Sequence, residues 1–175
     1  MVLRAVRQRY SSWVIAIHVD DPTRADVRQL LDEHLVDMYA MSPAESVHAL
    51  DPASLAEPNI TLWTAREDSV LLGCVALLRL SPKEGEIKSM RTRNVARGRG
   101  VASMLLGRIL DEARTREFER ISLETGSEEF FAPARRLYRR HGFTPCPPFS
   151  DYQLDPNSVF MTLWVGRAEE RSAPV

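Results

Sequence analysis

One stretch limits what this chain can become: Val95-Ala96-Arg97-Gly98-Arg99-Gly100-Val101-Ala102-Ser103-Met104-Leu105-Leu106. An extended segment, Glu86 to Thr92, leads into it. Beyond it, Val101, Leu105, Ile109 and Ala113 recur at helical spacing, broadened by Ala102, Leu106 and Leu110. Charged residues from Arg108 to Glu117 take the opposite side. The order is strand, glycine turn, helix N-terminus. The first N–H groups of a helix lack partners within it, and the helix dipole is positive at that end, so such a turn attracts anions. Gly98 and Gly100 let a phosphate approach the main chain closely. Arg97 and Arg99 add forked cationic donors. We read Arg97, Gly98, Arg99, Gly100, Val101, Ala102 and Ser103 as a pyrophosphate cradle. It is not a Walker A loop, because no Gly-Lys-Ser/Thr closes it. It is not the dinucleotide fingerprint either, because Ser103 stands where the third glycine belongs.

The rest of the composition narrows the partners. A chain of 175 residues suits one domain with a full core, expected over residues 1–166, and 44% hydrophobic residues argue for a folded protein. A net charge of −1 argues against a generic nucleic-acid or membrane binder. Cys74 and Cys146 are far apart and fit no metal or redox spacing, so both read as buried thiols of a reducing compartment. Arg4, Arg7, Gln8 and Arg9 interrupt any signal-peptide core, and no apolar run is long enough to span a membrane. The expected location is cytoplasmic. The tail from Arg167 to Val175 reads as disordered.

Taken in order, Trp13 to Val19 reads as a strand, stopped at Asp20-Asp21-Pro22-Thr23. Thr23 with Asp26 resembles a capping box, opening a helix with Val27, Leu30, Leu31, His34, Leu35 and Met38 on one face. Ser42-Pro43-Ala44-Glu45 predicts a second helix running to about Leu50, with a short helical turn at Ala53 to Ala56. Strands Ile60–Arg66, Val70–Leu80 and Glu86–Thr92 are joined by short turns and predict an antiparallel meander, with Gly73 at a bulge or close approach. Arg120–Thr125, reached through the cradle helix, should pair parallel to the Glu86 strand. Pro133 to His141 is a helix capped by Gly142; a proline-broken stretch, Phe143 to Phe149, and a strand, Val159 to Val165, complete the chain.

Arg97-Gly98-Arg99-Gly100-Val101-Ala102 fits Arg/Gln-x-x-Gly-x-Gly/Ala, the acetyl-CoA pyrophosphate loop of the Gcn5-related N-acetyltransferases (GNAT), and Ala134-Arg135-Arg136-Leu137-Tyr138 followed by Gly142-Phe143 matches that family's second motif. The chain resembles this family over most of its length. Pro148 to Tyr152 with Ser158 to Met161 is similar to an uncharacterised bacterial subgroup. The sequence departs from the pattern at Phe131, where the family often has Asn, and at Met90-Arg91-Thr92, where the strand usually ends in Val. The resemblance implies an α/β (α+β) fold: a mixed, mostly antiparallel sheet of about seven strands with helices on both faces. Its parallel strands would splay apart at the acetyl-CoA site.

The resemblance also implies a chemistry. Acetyl transfer to an amine needs a neutral amine, a polarised thioester carbonyl and a proton for the departing thiolate. Acetyl-CoA would be the cosubstrate, with no metal, and the acetyl group would pass directly within a ternary complex. Main-chain groups of Met90, Arg91 and Thr92 would pair with the pantetheine arm. The N–H of Met90 or Arg91 would donate to the carbonyl oxygen, and Tyr138 would be the acid. Glu86, in the register of the base of the histone-modifying branch, is the first candidate base, acting through water; Glu124 is the alternative. The early helices, with His34, Met38, Glu45 and His48, would wall the acceptor site. Asp37, Glu45, Glu86, Glu124, Glu128 and Glu129 point to a small cationic amine. Two other readings stand beside this one: a regulatory module that binds acetyl-CoA without turnover, and nucleic-acid binding by Arg91, Arg93, Arg97 and Arg99. The rest of the chain lacks the basic surface that the second would need. A homodimer is compatible with the chain.

Overall fold

The structure, a computed structural model, describes residues 14–166. Trp13, the Arg4–Arg9 stretch and the expected tail from Arg167 lie outside the described residues. A seven-stranded sheet, in the order β1-β2-β3-β4-β5-β7-β6, carries the fold. Its strands are β1 (Ile15–Val19), β2 (Ile60–Glu67), β3 (Val70–Arg79), β4 (Glu84–Thr92), β5 (Arg120–Gly126), β6 (Thr144–Pro145) and β7 (Ser158–Trp164). Every pairing is antiparallel except β4 with β5. The expected meander and the parallel crossover are both present.

Three helices cover the two faces: α1 (Ala25–Met41), α2 (Val101–Thr115) and α3 (Ala132–Arg140). The apolar stripe of α2, with Leu105, Leu106 and Ile109, packs with Leu72, Val75, Ile87, Ile121 and Leu123 into the larger core. Leu137, Tyr138 and Phe143 extend that core. On the other face, Val27, Leu30 and Leu31 of α1 pack with Leu62, Leu71, Cys74 and Ala76. Alternate residues of a strand point to opposite faces. Since Ile121, Leu123 and Ile87 face α2, the intervening Ser122, Glu124, Glu86 and Lys88 face the α1 side.

Two local expectations need correction. Ser42-Pro43-Ala44-Glu45 does not open a long helix. Ser42 is the C-cap of α1, its N–H bonded to Met38 O, and only a three-residue 3-10 turn, Ala44–Ser46, follows. Thr23 does not cap α1 either. Its hydroxyl donates to Asp21 Oδ1 at 2.7 Å, and the N-cap residue is Arg24 with no side-chain cap. Asp26, the other half of the expected box, accepts from Arg66 Nη1 at 2.7 Å. A neighbour in the preceding turn thus took the Thr23 hydroxyl, and a tertiary partner took Asp26. Of the two thiols, Cys74 is buried as expected, and Cys146 is half-buried; both are free.

Candidate active site

The site begins where β4 and β5 part. Their register runs from Glu84 opposite Arg120 to Ile87 opposite Leu123 and stops there, although β4 continues to Thr92 and β5 to Gly126. The cause lies on the other side of β4. Cys74 pairs with Arg91 and Ala76 with Lys88, so Ser89 and Met90 together oppose Val75. This bulge, with Ser89 at a φ of 51°, turns β4 out of line with β5. Gly73 allows it: a Cβ there would stand 2.6 Å from the carbonyl oxygen of Arg91. A cavity of about 910 Å³ fills the gap, walled by β4 from Ile87 to Thr92, by Glu124 to Gly126 and by the start of α2.

The glycine turn forms one end of this cavity. Gly98 and Gly100 sit at φ of 76° and 80°, which other residues adopt only with strain, and nothing lies within 4 Å of where their Cβ atoms would be. Gly100 is the N-cap of α2, and no side chain caps it. The first N–H groups of α2 are therefore left for a ligand. Gly98, Gly100, Val101, Ala102 and Ser103 all line the cavity, together with Arg97 and Arg140. Arg99 is not on this wall; its guanidinium is paired with Glu67 on β2. Ser103 Oγ lies 3.0 Å from Nε2 of His141, whose Nδ1 is 2.9 Å from the carbonyl oxygen of Leu137. That carbonyl can only accept, so Nδ1 is the donor to it, and Nε2 is the atom that meets the Ser103 hydroxyl. The pair locks the α2 start to the end of α3. Sequence reasoning missed it, because only the fold brings the two residues together.

Tyr138 and Glu124 line the same cavity. Tyr138 is buried and its hydroxyl donates to Met90 Sδ at 3.5 Å. Burial, helped by the nearby Glu124 carboxylate, raises its pKa, so it keeps its proton at neutral pH. Glu124 accepts from Ser158 Oγ at 2.8 Å. Burial pushes its pKa up to about 7; Glu86 and Asp155 add to the rise, and Ser158 and Lys88 oppose it. Glu86 is placed differently. It is 2% exposed and does not reach the cavity wall. It accepts from the Tyr152 hydroxyl at 2.6 Å and pairs with Lys88 Nζ at 2.9 Å. Lys88 also bonds Tyr152, whose ring is packed against His48, Phe149 and Phe160. Phe131, in place of the family's Asn, lines the cavity as an apolar wall; its ring fills the space where a Cβ on Gly126 would fall.

The family model of the GNAT acetyltransferases matches residues 26–143, which span the cradle, the splayed strands and α3. The chain belongs to the GNAT acetyltransferase family. An uncharacterised N-acetyltransferase of Bacillus subtilis (strain 168), YsnE, is 52% identical over 146 residues, covering 83% of this chain and 97% of its own. An uncharacterised N-acetyltransferase of Escherichia coli (strain K12), YedL, is 45% identical over 150 residues, covering 86% and 94%. The fold is shared with a GNAT acetyltransferase of Elizabethkingia anophelis solved with acetyl-CoA bound, at 17% identity and a TM-score of 0.61 over 86% of this chain and 97% of that one. The GNAT assignment accounts for the glycine turn and the splayed strands together. Among the described residues, no helix is long and apolar enough to cross a membrane.

Proposed function

We propose that this GNAT enzyme moves an acetyl group from acetyl-CoA to a small primary amine, with Glu124 as base and Tyr138 as acid. The observation that carries the reading is one cavity at the gap between β4 and β5, lined both by the glycine turn and by these two groups. Acetyl-CoA supplies the activated acyl group. The cradle residues Arg97, Gly98, Gly100, Val101, Ala102 and Ser103 would hold its pyrophosphate, while Arg99 supports the loop through Glu67. Met90, Arg91 and Thr92 lie on the strand edge that lacks a β5 partner. The main-chain groups of this stretch that point away from β3 are therefore free to pair with an extended ligand and to polarise the carbonyl.

A base near pH 7 suits the task. Glu124 takes a proton from the ammonium form of the acceptor. The free amine attacks the acetyl carbon, the C–N bond forms and the C–S bond breaks. Tyr138 gives its proton to the departing sulfur and is reprotonated by the proton that the nitrogen then loses. Glu86 fits a positioning role, since Tyr152 and Lys88 occupy its oxygen. The two rival readings find little support. Arg91 and Arg99, half of the basic cluster, are paired with Asp37 and Glu67. A binding module without turnover has no need of a carboxylate and a phenol facing one gap.

The test is thiol release coupled to mass detection of the acetylated amine. Tyr138→Phe should lower kcat on the order of a hundredfold, the usual worth of a positioned proton donor. Full kcat in that variant would remove the acid role, and acetyl-CoA binding without any thiol release would favour the regulatory module.

A further inference from the structure

Two stretches beyond the span that the family model matches, residues 148–152 and 158–161, meet beside Glu124. In the antiparallel pairing of β5 with β7, Glu124 stands opposite Phe160 and Gly126 opposite Ser158. Alternation puts Ser158, Phe160 and Glu124 on one face of the sheet. Ser158 Oγ donates to Glu124 Oε1 at 2.8 Å, across the diagonal of that pairing. The Tyr152 ring packs on Phe160 and Phe149, at centroid distances of 5.3 and 5.1 Å, and on His48 at 4.9 Å. This aromatic cluster carries the Tyr152 hydroxyl to β4.

There it meets the cation best placed to reach Glu124. Ile87 and Leu123 are the last pair of the parallel register, so Lys88 and Glu124 are the first two side chains of this face to stand across the opening. Among the described residues, no ion pair joins them. Lys88 Nζ is held instead by three acceptors: Glu86 Oε1 at 2.9 Å, the carbonyl oxygen of His48 at 3.3 Å and the Tyr152 hydroxyl. Tyr152 in turn donates to Glu86 Oε1 at 2.6 Å. An ammonium drawn onto Glu124 would keep that carboxylate ionised and poor at taking a proton. A Glu124 without its Ser158 donor would be pushed the other way, by burial and by the charges of Glu86 and Asp155. The titratable groups around Glu124 are thus Lys88 and Glu86 on β4, Tyr138 on α3, and Tyr152 and Asp155 on the loop before β7.

Resting on the transfer reading above, with Glu124 as base, we propose that Ser158 and Tyr152 are its positioning residues: Ser158 fixes the carboxylate by one hydrogen bond, and Tyr152 holds the Lys88 ammonium off it. The two act in opposite directions. Ser158 favours the ionised carboxylate, whereas Tyr152 withholds the cation that would favour it further. Glu124 works between these extremes, at about pH 7.

The experiment follows the titration of Glu124 directly, by NMR of the protein with isotope-labelled glutamate carboxyls; the Glu124 signal is identified by its loss in Glu124→Gln. The wild-type midpoint should lie near 7. Ser158→Ala should raise it by about one pH unit, the worth of a hydrogen bond to a charged group, and Ser158→Thr should keep it near the wild-type value. Tyr152→Phe should lower it, and adding Lys88→Met to that variant should reverse the fall. If Ser158→Ala does not fold, Ser158→Cys, a weaker donor, should raise the midpoint by a smaller step. The acidic limb of kcat/KM, read by thiol release with spermidine, glucosamine and lysine as acceptors, should move with the midpoint in each variant. A midpoint unmoved by loss of the Ser158 hydroxyl, or unmoved or raised in Tyr152→Phe, would overturn the inference and leave the transfer reading intact. Midpoints that shift as stated while the limb stays in place, or while no amine releases thiol, would overturn the part of Glu124 in transfer and this inference with it.

Discussion

Two arginines two residues apart, Arg97 and Arg99, have different fates that can be measured. Arg97 lines the cavity, whereas Arg99 is paired with Glu67 on β2. Arg97→Ala should weaken acetyl-CoA binding by about 1.5–3 kcal/mol, the value of a hydrogen bond to a charged group. Arg99→Ala should act less and indirectly, through a loosened loop. Calorimetric titration separates them; equal losses would mean that Arg99 also reaches the pyrophosphate. Glu124 makes a second prediction. Its folded pKa, about 7, lies above the ordinary carboxylate value of 4.5. A raised pKa gives stability that is present at low pH and lost as pH rises towards 7. Glu124→Gln should therefore raise the melting temperature more at pH 8 than at pH 5. An equal shift at both would mean that the group is not held protonated in the fold. Which arginine and which glutamate face the cavity was not legible in the sequence. Glu67 is 32 residues from Arg99, and Tyr152 is 66 from Glu86.

At the scale of elements, β4 carries the design. The bulge at Ser89 and Met90 ends its pairing with β5, and Gly73 on β3 leaves room for the displaced carbonyl of Arg91. Gly73→Ala should push β4 back and cost about 1–3 kcal/mol of stability, as overpacking does. Acetyl-CoA affinity should fall as well, because the strand edge moves. Urea unfolding and titration check both, and a variant unchanged in each would show that β4 shifts freely. Gly73 was readable as a bulge or close approach. The splay was expected only from the family resemblance, because nothing in Ser89-Met90 announces the left-handed residue that produces it. The helix expected from Ser42 failed for a related reason. Asn157 Nδ2 donates to Ser46 Oγ at 3.2 Å and Lys88 Nζ to His48 O at 3.3 Å. The segment from Val47 to Leu50 passes those partners without regular structure, whereas capping rules see only neighbours in sequence.

For the whole molecule, the sheet separates two tasks. The α2 face, with the cradle and Tyr138, suits the donor; the α1 face, with Glu124, Lys88 and Arg91, suits the acceptor. The meander, the parallel crossover and the glycine turn before α2 could be read from sequence because they rest on periodicity, short connections and glycine chemistry. The acceptor wall could not, because it is assembled from α1, β4, β5 and the loop before β7. The central claim is that Glu124, which lines the same cavity as Tyr138, activates the amine. It is tested most directly by the pH dependence of kcat/KM in the wild type, Glu124→Gln and Glu86→Gln. The wild type should lose activity as pH falls below about 7, where Glu124 becomes protonated. Glu124→Gln should abolish that limb. Glu86→Gln should keep it but move it to lower pH, since a neighbouring negative charge is gone and Lys88 is freed to stabilise the Glu124 carboxylate. A limb that survives in Glu124→Gln and vanishes in Glu86→Gln would contradict the account.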